Sequence, residues 1–325
     1  MHVLTKNSNL EGYSGIFDTL FMELQSIIRG CNMKKKVLQV GYRSLANGGI
    51  QAVIMGIVRN LHNDIDFDVL LFSNKQGHYD DEFLKYGKIF RIPCDSKGNR
   101  LYNRIENITR PFRSFFGTYK ILKNGNYSAV HCHNGIESGI TLLAARIAGI
   151  PIRITHSHNT ASPKKARILS KIYKGLVKTL IKRNSTVRIG CSNAANEYLY
   201  GEKDNESIVI NNAIDIKKFN PSNYSNVIKD QSKIIFTHVG RYNYQKNQLF
   251  LIDVFNEIHK IFPDSRLNLI GFGEDEEIIL KKIINLELTN SIKMLPHNSD
   301  LPEILNRTDY FLFPSNFEGL GISLQ

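Results

Sequence analysis

Arg241 and Lys246 stand five residues apart, the first in the loop after an apolar run at 234–239 (IIFTHV), the second where an amphipathic pattern begins. Two cations fixed at a strand end and in the first helical turn can neutralise a phosphate, and the helix N-terminus adds backbone N–H donors. An ordinary solvated arginine would also satisfy the sequence at 241. Glu318 follows Pro314-Ser315 after a second apolar run at 309–313 (DYFLF), a place from which a carboxylate can accept from two ligand hydroxyls. Gly48-Gly49 separate the first strand-like run from a helical pattern. Glycines there let the main chain approach a phosphate or sugar and take unusual φ/ψ values, or simply make a tight turn. Gly271-x-Gly273 is a poor dinucleotide fingerprint, because Glu274, Asp275 and Glu276 follow where phosphate would sit. A loop near a nucleoside suits it better. His297 follows Pro296, which has no N–H to offer a base. It can stack on or hydrogen-bond a nucleobase, or be a plain loop histidine.

Four histidines form two pairs, His131/His133 and His156/His158, each two apart at a strand end. Residues two apart on a strand point the same way, so zinc is a reading to weigh. No acidic or thiolate partner is placed beside them, and hydrogen-bonded structural histidines are the alternative. The expectation is no metal.

These residues need strand-to-helix loops to hold them. Apolar runs at 36–41, 67–73, 88–92, 127–132, 151–156 and 187–191 alternate with helical patterns at 50–61, 111–123, 137–148, 163–183 and 193–200. Strand runs with little polar alternation, joined by helices, predict parallel strands covered on both faces. After a polar stretch the rhythm restarts, with strands at 234–239, 266–270, 291–295 and 309–313 and helices at 246–261, 275–286 and 300–306. The expected fold is α/β, two Rossmann-like domains whose loops meet in a ligand cleft. The domains are 33–211 and 233–325, with a linker at 212–232.

Composition narrows the partners. The 325 residues carry 42 Lys+Arg against 30 Asp+Glu, a net charge of +12, with 42% hydrophobic residues. That excludes dominant disorder, and no apolar run is long enough to span a membrane as a helix. Four widely spaced cysteines, Cys31, Cys94, Cys132 and Cys191, form no C-x-x-C pair, which points to a reducing cytoplasm. The charge asks for an anionic partner. No helix-turn-helix, RNP-type strand or zinc module accompanies it, so nucleic acid is not expected. The basic segments at 97–123 and 163–183 suit an anionic membrane surface. The first carries Lys97, Arg100, Arg104, Arg110 and Arg113 with Phe112, Phe115 and Phe116. The second has Lys164, Lys165, Arg167, Lys171, Lys174, Lys178, Lys182 and Arg183 behind an apolar stripe, Ile168, Leu169, Ile172, Tyr173, Leu176, Val177, Leu180 and Ile181. A stripe that packs inward with a solvated basic back is the alternative reading.

Several of these groups together resemble a family. Gly240-Arg241, Lys246-Asn247, Gly271-Phe-Gly273, Asp309 to Ser315 and Glu318-Gly319 resemble the nucleotide-sugar-binding domain of retaining glycosyltransferase family 4, of GT-B fold. Gly48-Gly49, His131-Cys-His133, Cys191-Ser192 and Asn212-Ala-Ile-Asp215 match its first-domain landmarks. Thr155-His-Ser-His158-Asn159 resembles the branch that builds bacterial capsular or exopolysaccharide. The resemblance implies transfer of a hexosyl or N-acetylhexosaminyl group from a nucleotide sugar, UDP-linked by branch, to a lipid-linked glycan. Configuration would be retained without a metal or other cofactor, on the inner face of the cell membrane. It implies Arg241 and Lys246 at the donor diphosphate, Glu318 on sugar hydroxyls and His133 near the transferred sugar. Gly48, Gly49, Gly273 and His297 would line the donor, with His158 and Asn159 toward the acceptor. The leaving phosphate itself would receive the acceptor proton. The family's second glutamate, eight positions after Glu318, falls one residue past Gln325, so the second domain is expected to be truncated. Pro296-His297 and Ala213 depart from the family's glycines.

Residues 1–32 read as an upstream extension before a start at Met33, with a short helix at 18–28. Two alternatives stay open: an inactive fragment of such an enzyme, and a nucleotide-sugar epimerase of the related two-domain fold.

Overall fold

The computed structural model describes residues 2–4, 35–94, 100–160, 168–202, 204–214, 219–224, 230–321 and 323. The helix expected at 18–28, Met33, Lys97, Lys164, Lys165, Arg167, Asp215 and Gln325 lie outside them, as do the side chains of Arg100 and Arg104. In chain order the elements are β1 (His2–Leu4), β2 (Lys36–Val40), α1 (Gly49–Leu61), β3 (Asp66–Leu71), α2 (Asp80–Phe83), β4 (Ile89–Arg91), α3 (Arg100–Asn124), β5 (Ala129–Cys132), α4 (Ser138–Ile147), β6 (Ile152–Ser157), α5 (Ile168–Asn184), β7 (Val187–Gly190), α6 (Asn193–Tyr200) and β8 (Ser207–Val209). They continue as β9 (Ile234–Val239), α7 (Gln248–Ile261), β10 (Ser265–Ile270), α8 (Glu276–Asn285), β11 (Ile292–Leu295), α9 (Leu301–Arg307) and β12 (Tyr310–Phe313). Two compact units result, one ending at Ala213 and the other running from Ile214 with β1 attached.

The first unit holds a parallel sheet ordered β4-β3-β2-β5-β6-β7-β8. β2 (KVLQV) and β3 (DFDVLL) are buried along nearly their whole length, as strands covered on both faces must be. α1 turns Val53, Ile54, Ile57, Val58 and Leu61 inward, the i, i+4 pattern of a core-facing helix. Leu38, Val40, Leu70, Val130, Cys132, Leu142 and Tyr200 share one core cluster. The chain winds outward from β2 to β4, then returns to place β5 beside β2. That reversal is a topological switch point, where ligands bind in open α/β sheets.

The second unit repeats the scheme. β12, β9, β10 and β11 are parallel, and β1 adds antiparallel to the outer edge of β12, His2 facing Phe313. Its core joins Phe236, Leu251, Phe255, Leu267, Leu269, Ile279 and Leu312. Here the reversal lies between β9 and β12.

Two helices depart from expectation. α3 begins at Arg100 and carries Pro111 inside it, where the sequence suggested a start near that proline. The ring removes one backbone hydrogen bond, and the helix continues past it. In α5 only part of the apolar stripe packs inward. Val177 and Ile181 are buried, while Ile172, Tyr173 and Leu176 are exposed. Leu176 and Val177 are one residue apart, about 100° around the helix, so one broad stripe is split between core and surface. Among the described residues, no helix is long and apolar enough to cross a membrane.

Candidate active site

At the switch point of the second unit, the loops after β9 and β12 are laced together. The Asn316 N–H donates to the Gln245 carbonyl at 2.8 Å and its side-chain amide to the Tyr244 carbonyl at 2.7 Å. The Gln245 amide donates to the Phe317 carbonyl at 3.1 Å, and the Asn247 amide reaches Pro314 O and Asn316 Oδ1 at 3.3 Å. Asn247 opens α7 in the left-handed region, φ 57°, where asparagine is among the tolerated residues.

The lacing brings two sequence-expected residues into contact. Lys246 Nζ lies 2.8 Å from Glu318 Oε1, both side chains largely shielded from solvent. The same ammonium stands 4.7 Å from the centre of the Phe313 ring, a further electrostatic attraction. Arg241 is exposed, its guanidinium 5.9 Å from the Phe272 ring. His297 packs on the same ring, centroids 4.5 Å apart. Phe272 therefore stands between Arg241 and His297.

Gly271 and Gly273 serve a close approach of main chains. A Cβ at Gly271 would meet the Gly240 carbonyl oxygen at 2.1 Å, and one at Gly273 the Tyr242 carbonyl oxygen at 2.1 Å. Tyr242 is buried beneath, its hydroxyl donating to Leu269 O at 2.9 Å.

Sequence reasoning missed the support of Arg241. His238, fully buried in β9, hydrogen-bonds Leu312 O through Nδ1 at 2.9 Å, leaving Nε2 to accept from the Gln248 amide at 3.1 Å. Gln248 also donates to the Arg241 carbonyl at 3.0 Å. Burial pushes the His238 pKa down to about 4, with the Leu312 acceptor opposing. A neutral ring therefore spans β9 and β12 and pins the Arg241 loop. A histidine one residue before the strand end was the available signal.

In the first unit, Gly48 is the N-cap of α1, with extended backbone (φ −150°) and no capping side chain. Any residue adopts that φ, so unusual backbone geometry is not what glycine supplies there. A Cβ there would meet only the end of the Gln51 side chain, 2.7 Å from Oε1, which can swing aside. Gly49 is the first residue of the helix.

The histidine pairs converge. Pairing of β5 with β6 sets His131 beside Ile154 and Cys132 beside Thr155, so the imidazoles of both strands interleave on one face. His133 bonds His158 at 3.0 Å through one nitrogen and Gln39 Oε1 at 2.9 Å through the other. The His131 and His156 rings lie parallel, 5.6 Å apart. Among the described residues, neither nitrogen of His156, nor His131 Nε2, has a protein partner. Burial drives every pKa down: His131 to about 3 with His158 adding, His158 to about 4 against a raising hydrogen bond from Asn212, and His133 and His156 well below the ordinary value. Nitrogens of His131, His133 and His156 lie within 4.8 Å of one another, but both His133 nitrogens are committed to Gln39 and His158. Asn159 is exposed beside them.

Of the basic residues, Lys178 is drawn onto Tyr198, bonding its carbonyl and lying over its ring. Lys171, Lys182 and Arg183 stay exposed.

Comparison with known proteins follows these two switch points. The family model described as Glycosyltransferase Family 4 matches residues 47–218, and that described as Glycosyl transferases group 1 matches 222–325. The capsular polysaccharide biosynthesis glycosyltransferase CapH of Staphylococcus aureus is 28% identical over 292 residues, 88% of this chain and 76% of that protein. The UDP-Gal:alpha-D-GlcNAc-diphosphoundecaprenol alpha-1,3-galactosyltransferase of Escherichia coli is 26% identical over 312 residues, 91% and 78% of the two chains. In fold the chain is similar to Anabaena Alr3699/HepE in complex with UDP and glucose, TM-score 0.66 at 18% identity, covering 86% of this chain and 74% of that one.

Proposed function

The chain belongs to glycosyltransferase family 4, and from that premise we propose that it moves a hexosyl or N-acetylhexosaminyl group from a UDP-sugar to a lipid-linked glycan in cell-surface polysaccharide synthesis, with retention at the anomeric carbon. The observation that carries the reading is the Lys246–Glu318 pair, 2.8 Å apart at the β9/β12 reversal with Arg241 exposed in the same loop system. Lys246 and Arg241 take the diphosphate and neutralise the charge that grows as it leaves, which lets the reaction run without a metal. Glu318, released from Lys246, accepts from hydroxyls of the sugar. The departing phosphate oxygen takes the acceptor proton, so no side chain acts as general base. His297 and Phe272 border the nucleobase, Gly273 keeps the adjoining loop close, and Gly48, Gly49 and His133 border the transferred sugar. His158 and Asn159 serve the acceptor. CapH and the E. coli galactosyltransferase support the polysaccharide and lipid-linked assignments by their names, and the Anabaena complex supports UDP.

The protein acts on the inner face of the membrane, held peripherally through α3 and α5. The test is turnover of a UDP-sugar panel with a diphosphate-linked lipid acceptor, with and without EDTA, and the product's anomeric configuration read by NMR. Transfer that is acceptor-dependent, EDTA-insensitive and retaining is expected. An inverted product or a strict metal requirement would overturn the mechanism. Interconversion of the UDP-sugar with no acceptor would point to an epimerase instead.

A further inference from the structure

A glutamine interrupts a central strand of the first unit. β2 reads Lys-Val-Leu-Gln-Val, and Gln39 is 1% exposed between Leu38 and Val40. A buried amide is costly unless its polar atoms are paired. Register places Gln39 opposite His131 on β5. The pairing runs on past the strand end, where the His133 N–H donates to the Val40 carbonyl at 2.9 Å. His133 is thus pinned to β2 by its main chain, and its ring meets Gln39 Oε1 through Nε2 at 2.9 Å.

The partners fix where the protons lie. An amide oxygen only accepts, so His133 Nε2 carries a hydrogen. Burial keeps the His133 and His158 rings neutral, and a neutral imidazole has one donor and one acceptor nitrogen. His133 Nδ1 is therefore a lone pair, and its 3.0 Å contact with His158 Nε2 takes the hydrogen from His158. Both rings are Nε2–H tautomers, aligned in one direction that ends on Gln39. The two bonds of His133 are not equally permanent. Gln39 is held in mid-strand, whereas His158 follows β6, is only half-buried, and leads to exposed Asn159. A ligand displaces His158 more readily than Gln39.

We propose that Gln39 is a positioning residue for sugar transfer: it holds His133 with Nδ1 as a hydrogen-bond acceptor, and a hydroxyl of the transferred sugar donates to that nitrogen in exchange for His158. The inference rests on the reading above that His133 borders the transferred sugar, and it adds a requirement. The sugar must have a proton to give at that point, so a hydroxyl is recognised where an ether or a carbonyl oxygen is not. Until the sugar arrives, His158 keeps the buried lone pair satisfied.

The experiment uses the full chain with isotope-labelled histidine, because long-range nitrogen–proton NMR correlation tells the two tautomers of an imidazole apart. UDP, UDP-galactose and UDP-N-acetylglucosamine are the probes. In the free protein His133 and His158 are both expected as Nε2–H. A UDP-sugar, but not UDP, is expected to shift His133 Nδ1 and His158 Nε2 together. Gln39→Met keeps the length and removes the acceptor. It is expected to mix the His133 tautomers and lower kcat/KM for the UDP-sugar about ten-fold, with UDP affinity within about two-fold. Gln39→Glu restores an acceptor oxygen, and the Nε2–H tautomer should return with part of the rate. The wild-type spectrum needs no variant and decides the matter if both fail to fold. Either ring found as Nδ1–H would overturn the inference, as would mixed tautomers in Gln39→Met with wild-type kcat/KM. Spectra that respond to the UDP-sugars no more than to UDP would overturn it too, leaving the diphosphate half of the donor reading standing. Wild-type protein that binds none of the three probes would remove the donor reading itself.

Discussion

Acidification from pH 7.5 to 5.5 protonates a histidine in the unfolded chain, where its pKa is about 6.5, but not the four interleaved on β5 and β6. Burial holds His131 at about 3 and His158 at about 4, and keeps His133 and His156 well below the ordinary value. Inside this window the unfolded state binds more protons than the native one. Stability therefore rises with pH and levels off above the unfolded value. At pH 5.5 each histidine held neutral costs on the order of 1 kcal/mol, and the four together several kcal/mol. That is comparable with the whole stability of many domains. The penalty keeps growing until the pH passes the folded values, about 3 for His131 and about 4 for His158. Urea unfolding at pH 7.5, 6.5 and 5.5, followed by far-UV circular dichroism, should show the midpoint falling at nearly constant slope. Replacing His131 and His156 together by Gln should clearly weaken the pH dependence without abolishing it, because His133, His158 and His238 remain. A midpoint unchanged from pH 7.5 to 5.5 would refute the reasoning, because it would mean these imidazoles take up protons in the folded protein as freely as in water.

Lys246→Met should reduce UDP release from donor about 10²-fold or more, since a fixed cation at a developing charge is removed, with the circular dichroism spectrum unchanged. Gly273→Ala pushes a methyl group to 2.1 Å from the Tyr242 carbonyl oxygen. A loss of about 2–4 kcal/mol is expected, read as a lower thermal midpoint. The Tyr200 hydroxyl lies 2.8 Å from both the Thr155 and Ile189 carbonyls. Tyr200→Phe should cost about 1–2 kcal/mol in denaturant titration.

The loop positions of Arg241, Lys246 and Glu318 were readable because each follows a strand closely, and parallel strands deliver their following loops to one edge. Their roles toward a donor came from the family resemblance and not from that rule. The contacts that fix them are long-range. Asn316 meets Tyr244, and Gln245 meets Phe317, across 72 residues of chain, and no local pattern marks such partners. His238 with Gln248 escaped notice because a lone histidine and glutamine in apolar surroundings carry no motif. The direction of the α5 stripe was equally hidden. Periodicity says that a face is apolar, but not whether neighbouring helices suffice to cover it, and Ile172 and Leu176 turn out to be bare. Pro111 misled for a related reason, since its local preference for a helix start yielded to the packing of the longer α3.

On the proposed donor-site reading, the Lys246–Glu318 pair would also act as a filter. With nothing bound, the two charges at the β9/β12 reversal cancel, so the loops present less attraction to stray anions than a bare lysine would. Inorganic phosphate can reach that ammonium only by stripping Glu318 of its counter-charge, and a partly shielded carboxylate left alone is costly. A neutral sugar can engage the carboxylate only by stranding the ammonium. A molecule carrying phosphate and hydroxyls on one frame exchanges both halves in a single event and leaves neither orphaned. Selection for the conjugate over its hydrolysis products would then arise from charge exchange at one contact, before any hydroxyl's orientation is read.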